Sequence, residues 1–141
     1  MDIRTIGVIG AGTMGNGIAQ VCATAGYPVV ITDIAQAALE RAMKTIDTSL
    51  ERMVNKQKMT AADKAATLAR LTTSTDMKAL ADCDLVIEAA TENIGLKQKI
   101  FASIDAVVKP DALIASHTAS ISIPKLAAAT KRPSQFIGMH F

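Results

Sequence analysis

The chain has 141 residues, of which 50% are hydrophobic, 20% charged and 3% aromatic, with a formal net charge of +2. At this length we expect one domain with a single core. Basic and acidic residues alternate and there is no Trp, which argues against nucleic acid as the main partner. No apolar run approaches the roughly 20 residues that cross a bilayer, so we expect a soluble protein that does not enter the membrane.

The two ends of the chain and its two cysteines predict where the protein is located, whether its thiols are reduced and whether the chain is part of a longer protein. The first residues run directly into a predicted strand without a leader, which favours the cytoplasm. Cys22 and Cys83 are too few and too scattered for a disulfide framework or a metal knuckle, so we expect buried, reduced thiols. Because the chain stops at Phe141, directly after a predicted strand, we expect a fragment of a longer protein whose domain covers residues 1–141.

Strands and helices alternate along the chain, which predicts an α/β domain with a parallel sheet. Strands are predicted at 6–9, 28–33, 71–74, 84–88, 112–116 and 136–140. Helices are predicted at 13–25, 34–56, 61–71, 96–107 and 123–129, with one further turn of helix at 76–80. The second and third helices, about residues 36–71, are expected to form a helical hairpin that projects from the sheet. Thr60 and Asp63 have nearly the spacing of a capping box at the start of the third helix.

The segment between the first strand and the first helix carries Gly10, Gly12 and Gly15 in G-x-G-x-x-G spacing. Gly10 permits a sharp turn, Gly12 lets the backbone approach a pyrophosphate, and Gly15 lets the helix pack closely against the sheet. The following helix directs its free N–H groups and the positive end of its dipole to the same place. This arrangement predicts a site for a dinucleotide diphosphate.

Asp33, at the end of the second predicted strand, indicates which dinucleotide binds. A carboxylate there accepts the adenosine ribose hydroxyls and repels a 2′-phosphate, which favours NAD over NADP. The alternative is a glycine-rich turn followed by a solvated Asp. Residues 89–93 leave the fourth strand at the carboxyl edge of the sheet, where ligands bind in doubly wound folds. Thr13, Met14 and Ala90 are therefore predicted to belong to the same cofactor site.

Several motifs together resemble a known family. They read GVIGAGTMGNGIAQ, DLVIEAATEN, LKQKIF, ISIPKLAAAT and RPSQFIGMHF. They are similar to the amino-terminal domain of the 3-hydroxyacyl-CoA dehydrogenases, especially the bacterial 3-hydroxybutyryl-CoA branch. The resemblance implies a Rossmann-type doubly wound sheet with an inserted helical hairpin, NAD(H) as cofactor, and a separate helical domain that binds acyl-CoA and dimerises.

The same resemblance assigns roles to individual residues. His140 matches the histidine that takes the proton of the substrate hydroxyl, and Asp33 matches the acid on the adenosine ribose. Glu92 and Lys97 match residues on the nicotinamide side. Ser49 and Lys56 match positions that contact CoA, whereas the basic face of the hairpin, read from the residues alone, is either solvated surface or a site for a phosphate-rich substrate tail.

The chain departs from the family pattern at the reacting end of the site. The family usually reads Ser-Asn-Thr-Ser-Ser where this chain has SHTAS, so His117 replaces the asparagine and Ala119 the substrate-binding serine. The family residues that follow His140 and orient it are also missing. Losing these interactions predicts little dehydrogenase turnover.

Three hypotheses from different classes remain at this point. The first is an NAD(H)-binding domain with little turnover. The second is an engineered enzyme, either hydrolase-like or metal-dependent with Glu92 as a third ligand, in which His117 and His140 share one cavity. The third is a self-associating scaffold, a homo-oligomer formed through exposed apolar surface. In the simplest case His117 is only a tolerated replacement.

Overall fold

The computed structural model describes residues 2–90, 93–117, 128 and 130–139. Within this part of the chain, all strands are parallel and join into one sheet. The strands are β1 Ile6–Ile9, β2 Val29–Thr32, β3 Leu71–Ser74, β4 Leu85–Glu88, β5 Leu113–His117 and β6 Phe136–Met139. Each lies where the sequence predicts a strand, to within a residue or so at either end.

The helices also follow the predicted order. They are α1 Thr13–Thr24, α2 Gln36–Asn55, α3 Ala61–Ala69 and α4 Ile94–Asp105, with short 3-10 helices at Met77–Leu80 and Pro133–Gln135. Helix α4 begins two residues before its predicted start, because the Asn93 side chain caps it by accepting a hydrogen bond from Leu96 N–H. The helix predicted at 123–129 lies outside the described residues.

The strand order is β3-β2-β1-β4-β5-β6, which is the order of a Rossmann sheet. The order reverses between β1 and β4, which lie side by side with Ile9 opposite Glu88. The loops that leave these two strands diverge at the carboxyl edge of the sheet. In doubly wound folds this crevice is where ligands bind, so the topology places the glycine motif where the sequence predicts a site.

Two hydrophobic layers cover the two faces of the sheet. One contains buried residues of β1 and β2 together with α1 and α2, and the other contains Phe101 and Ile104 of α4. The sheet is thus enclosed on both sides, which explains the nearly continuous apolar runs of its central strands.

The expected projection of the hairpin is wrong for α2. Its apolar stripe, Leu39, Ala42, Ile46 and Leu50, is buried in the main core beside α1. The periodicity shows that one face is buried, but it does not show which surface buries it. Helix α3 packs on α2 and begins with the capping box that Thr60 and Asp63 predict. Cys83 is buried as expected, whereas Cys22 is only partly buried, and both thiols are free.

A carboxylate at the start of β4 holds the amino-terminal segment in place. Asp84 accepts hydrogen bonds from the backbone N–H groups of Arg4 and Thr5, at 2.8 and 3.0 Å, and is paired with the Lys109 ammonium. The Lys109 contact, and then these two N–H groups, lower the pKa of Asp84 from 3.8 to about 2. The carboxylate therefore joins three separate segments of the chain.

We expect the stabilisation from Asp84 to disappear in acid. Because its folded pKa is lowered, the contribution is complete above about pH 4 and is lost as the pH falls towards about 2. An Asp84→Asn variant should melt about 4 °C lower than the parent chain near neutral pH. The difference between the two melting temperatures, followed by circular dichroism, should shrink below about pH 4. A difference that is constant across this range would contradict the assignment.

No helix in the described ranges is both long enough and apolar enough to cross a bilayer.

Candidate functional site

The glycine motif forms a tight turn that a side chain would obstruct at two of its three positions. Gly10 has φ of +104°, and a Cβ there would lie 2.8 Å from Ala90 Cα. A Cβ on Gly15 would lie 1.7 Å from the carbonyl oxygen of Gly10. The turn after β1 is therefore packed against both the loop after β4 and the first turn of α1. Both contacts involve backbone atoms, which have little freedom to move away.

Gly12 is different because a Cβ built there would have no neighbour within 4 Å. Its φ of −75° and ψ of −170° suit any residue, so the glycine is not required by the backbone. Gly12 is also the N-cap of α1, and no side chain caps this helix. The first N–H groups of α1 are thus left for a ligand, beside open space that a side chain would occupy.

Asp33 faces the glycine loop. One carboxylate oxygen accepts the N–H of Ala11 and the other accepts the N–H of Ala35, both at 2.9 Å. These bonds fix the carboxylate at the end of β2, next to the turn after β1. A carboxylate has further lone pairs, so the group can still accept the two hydroxyls of a ribose.

A cavity of about 400 Å³ lies over this turn and contains Gly10, Gly12, Thr13, Asp33 and Ala90 in its lining. The walls also include three residues that the sequence did not single out, Asn16 of α1 and Arg41 and Thr45 of α2. Arg41 and Thr45 reach the cavity because α2 packs against α1, and no local sequence motif predicts that packing. A second, largely apolar pocket of about 270 Å³ shares Gly10, Asp33 and Ala90 with the first.

A buried ionic network supports the loop after β4. Lys97 Nζ is paired with Glu88 Oε1, and both side chains are 0% exposed. Ser116 Oγ donates to the same carboxylate oxygen at 3.0 Å, and Ala90 N–H donates to the other at 2.6 Å. Glu88 therefore fixes the loop that packs against Gly10. The sequence predicts Glu88 only as the last residue of a strand, although an acid at a buried position of a central strand is a signal for such a network.

The remaining predicted residues fall into three groups. Met14 is 42% exposed on the first turn of α1, and Lys97 is placed within the buried network just described. His117 ends β5, and its backbone carbonyl accepts a hydrogen bond from Lys97 at 3.4 Å. Glu92, Ala119 and His140 lie outside the described residues, so the proposed pairing of His117 with His140 stays a prediction. In the described ranges no three acidic, His or Cys side chains come together as a metal site.

The two predicted CoA residues occupy different places. Ser49 is partly buried, accepts a hydrogen bond from Gln20 at 2.9 Å, and lines a groove of about 550 Å³ between α1 and α2. Lys56 is the C-cap of α2 and does not belong to the lining of that groove. The structure brings Ser49, but not Lys56, next to the cavity over the glycine turn.

The chemistry of these cavities suits NAD. The free N–H groups of α1 and the open space at Gly12 accommodate a diphosphate, and Asp33 provides a ribose acceptor. The apolar pocket beside it accommodates a base.

The family model for the NAD-binding domain of 3-hydroxyacyl-CoA dehydrogenases matches residues 5–141, almost the whole chain. The chain belongs to the 3-hydroxyacyl-CoA dehydrogenase family.

Individual relatives agree with this assignment. The chain is 51% identical over 139 residues to the 3-hydroxybutyryl-CoA dehydrogenase of Bradyrhizobium diazoefficiens, covering 99% of this chain and 47% of that protein. It is 46% identical over 140 residues to the enzyme of the same name from Mycobacterium tuberculosis, covering 99% and 49%. The crystal structure of the (S)-3-hydroxybutyryl-CoA dehydrogenase of Ralstonia eutropha superposes with a TM-score of 0.97 at 55% identity, covering 99% and 50%.

The chain therefore spans about half the length of these dehydrogenases. It is an NAD-binding domain of the 3-hydroxyacyl-CoA dehydrogenase family, with NAD as its cofactor.

Proposed function

We propose that this domain serves an enzyme that oxidises the 3-hydroxyl group of a short acyl-CoA, with 3-hydroxybutyryl-CoA as the substrate class, by transferring hydride to NAD. The observation that carries the proposal is the cradle around Gly12 with Asp33 beside it, in a chain 51% identical to a 3-hydroxybutyryl-CoA dehydrogenase. When bound, NAD supplies the nicotinamide carbon that accepts the hydride.

The residues of this chain would hold and orient the reactants. The N–H groups at the start of α1 bind the diphosphate, and Asp33 accepts the ribose hydroxyls. Glu88 and Lys97 keep the loop after β4 against the glycine turn. His140 would accept the proton of the substrate hydroxyl, which is the role that the family resemblance gives it.

We further propose that this chain by itself turns over substrate slowly. Ala119 replaces a serine that contacts substrate in the family, and His117 replaces the neighbouring asparagine. Losing the serine hydroxyl removes a hydrogen bond to the substrate in the transition state, and the chain corresponds to about half of its relatives' length. Binding of NAD does not depend on these positions, so it should be retained.

The groove between α1 and α2 supports a place for the CoA portion. Arg41, Lys44 and Arg52 line it. No acidic residue among those the structure describes belongs to the lining, and two acids of the same helix face α3 instead, since Asp47 Oδ1 lies 3.2 Å from Lys64 Nζ and Glu51 contacts the same ammonium. The groove is thus basic, as a phosphate-rich tail requires. It shares Asn16, Arg41 and Thr45 with the NAD cavity, so the two sites adjoin.

A Lys44→Glu variant should therefore bind free CoA about five- to tenfold more weakly than the parent chain, because it reverses a charge in the groove. Isothermal titration at low salt measures this effect, which should diminish as salt is added. Lys99→Glu is the matched control, because it makes the same change at an exposed position of α4. Equal weakening in both variants would indicate only a general effect of net charge and would contradict a specific groove.

The reaction itself is tested in a protein that contains this domain together with the half that its relatives add. With (S)-3-hydroxybutyryl-CoA and NAD we expect NADH to accumulate, and a His140→Gln variant should lose most of the rate while keeping its affinity for NADH. A protein that binds NADH but oxidises no 3-hydroxyacyl-CoA would reject the proposed activity and leave the cofactor assignment intact.

A further inference from the structure

Thr32, the last residue of β2, has an unusual hydroxyl group. The residue is 2% exposed, and its Oγ1 is buried with no hydrogen-bond partner. Its backbone carbonyl accepts a hydrogen bond from Gly10 N–H at 2.8 Å, so the unsatisfied group is the side-chain hydroxyl. A buried hydroxyl without a partner destabilises a fold, and such groups are uncommon in native proteins. Valine would have nearly the same shape without an unsatisfied hydroxyl, so the threonine at this position points to a role for its hydroxyl group.

Thr32 lines the apolar pocket of about 270 Å³ beside the glycine turn. Ile9 and Ile100 contribute apolar walls, and two exposed side chains, Ile34 (94%) and Leu96 (48%), belong to the same lining. A flat aromatic ring would bury these exposed side chains on entering the pocket. Because Gly10 and Asp33 also line it, the pocket continues directly from the place of the adenosine ribose.

The adenine ring of the dinucleotide is the group whose chemistry fits this combination. Its faces are apolar, which suits the walls, and its edge carries nitrogens that accept hydrogen bonds. A threonine hydroxyl donates one such bond. Because Oγ1 is buried in the free protein, rotation about the Cα–Cβ bond of Thr32 would turn it towards the pocket when the ring enters. We propose that the Thr32 hydroxyl is a specificity-determining contact for the adenine ring, unsatisfied in the free protein and satisfied when the dinucleotide binds. This inference rests on NAD binding and not on the proposed oxidation of acyl-CoA.

Two variants of Thr32 test the inference, because they change stability and binding in opposite directions. Thr32→Val removes the unsatisfied hydroxyl, so the cofactor-free chain should melt about 3 °C higher. The same variant should bind NADH about five- to tenfold more weakly in isothermal titration, because the bound ring loses its donor. Thr32→Ser keeps the hydroxyl, so its affinity for NADH should stay within about twofold of the parent value.

Three results would contradict a contact between the Thr32 hydroxyl and adenine. A Thr32→Val chain that binds NADH as tightly as the parent would overturn the contact with adenine. A lower melting temperature for Thr32→Val would show that the hydroxyl already has a partner in the free protein, and this too would overturn it. Equal loss of affinity in the Val and Ser variants would assign the effect to packing instead. The titrations contain no acyl-CoA, so their outcome is independent of the proposed enzymatic activity.

Discussion

A Gly12→Ala variant is expected to bind NADH at least about tenfold more weakly while keeping its fold. The new methyl group would project into space where no protein atom lies within 4 Å, and the backbone angles at Gly12 suit alanine. Alanine can therefore adopt the same backbone conformation, and the expected loss of stability is limited to a poorer N-cap, which costs at most about 1 kcal/mol. A diphosphate seated on the first N–H groups of α1 would meet the methyl group directly. Isothermal titration with NADH, paired with a melting curve, separates the two effects.

Gly17→Ala provides the matched control. Gly17 lies in α1, and a Cβ there also has no neighbour within 4 Å, but the residue is not part of the cavity lining. Alanine is the better helix former, so this variant should gain about 0.5–1 kcal/mol of stability and bind NADH normally. If Gly12→Ala binds NADH as well as Gly17→Ala does, the diphosphate does not approach the backbone at Gly12.

A Lys97→Met variant should lose about 3–5 kcal/mol of unfolding free energy, because it leaves the Glu88 carboxylate buried without its counter-charge. Both side chains are 0% exposed, so water cannot take the place of the lost partner. For a domain whose total stability is about 5–15 kcal/mol this loss is severe. Urea denaturation measures it. Because Glu88 also fixes Ala90 N–H, the loop against Gly10 should loosen, and NADH affinity should fall as well.

Two controls show whether the loss comes from the unpaired charge. The double variant Glu88→Gln/Lys97→Met has no charge at either position and should recover part of the stability. Lys99→Met, an exposed position of the same helix, should change stability by less than about 0.5 kcal/mol. A Lys97→Met chain as stable as Lys99→Met would mean that the pair is not buried in solution.

The fold and the cofactor cradle were predictable because their signals are local. The glycine spacing and Asp33 at the end of a strand each occupy a few consecutive residues, and the position of Gly15 against the carbonyl of Gly10 follows from them. Apolar periodicity located the helices but did not show that α2 packs on the core, because the pattern does not identify the covering surface.

The contacts within the site that were not predicted join residues that are distant in sequence. Glu88 and Ser116 come together only because β4 and β5 pair in the register that sets them side by side. Lys97 reaches the same carboxylate from the next helix along the chain. The groove with Arg41 and Ser49 depends on how α2 lies against α1. The acid within the apolar run of β4 is a signal for Glu88 itself, but no sequence motif identifies the partners that the assembled sheet and helices bring to it.

Titration of the chain with NADH and, separately, with NADPH tests the central claim most directly. Asp33 is fixed beside the cradle by the N–H groups of Ala11 and Ala35, so it should accept the unmodified ribose and repel a 2′-phosphate. We predict one NADH per chain, bound at least about tenfold more tightly than NADPH. Failure of NADH to bind, or equal affinity for the two dinucleotides, would contradict the account.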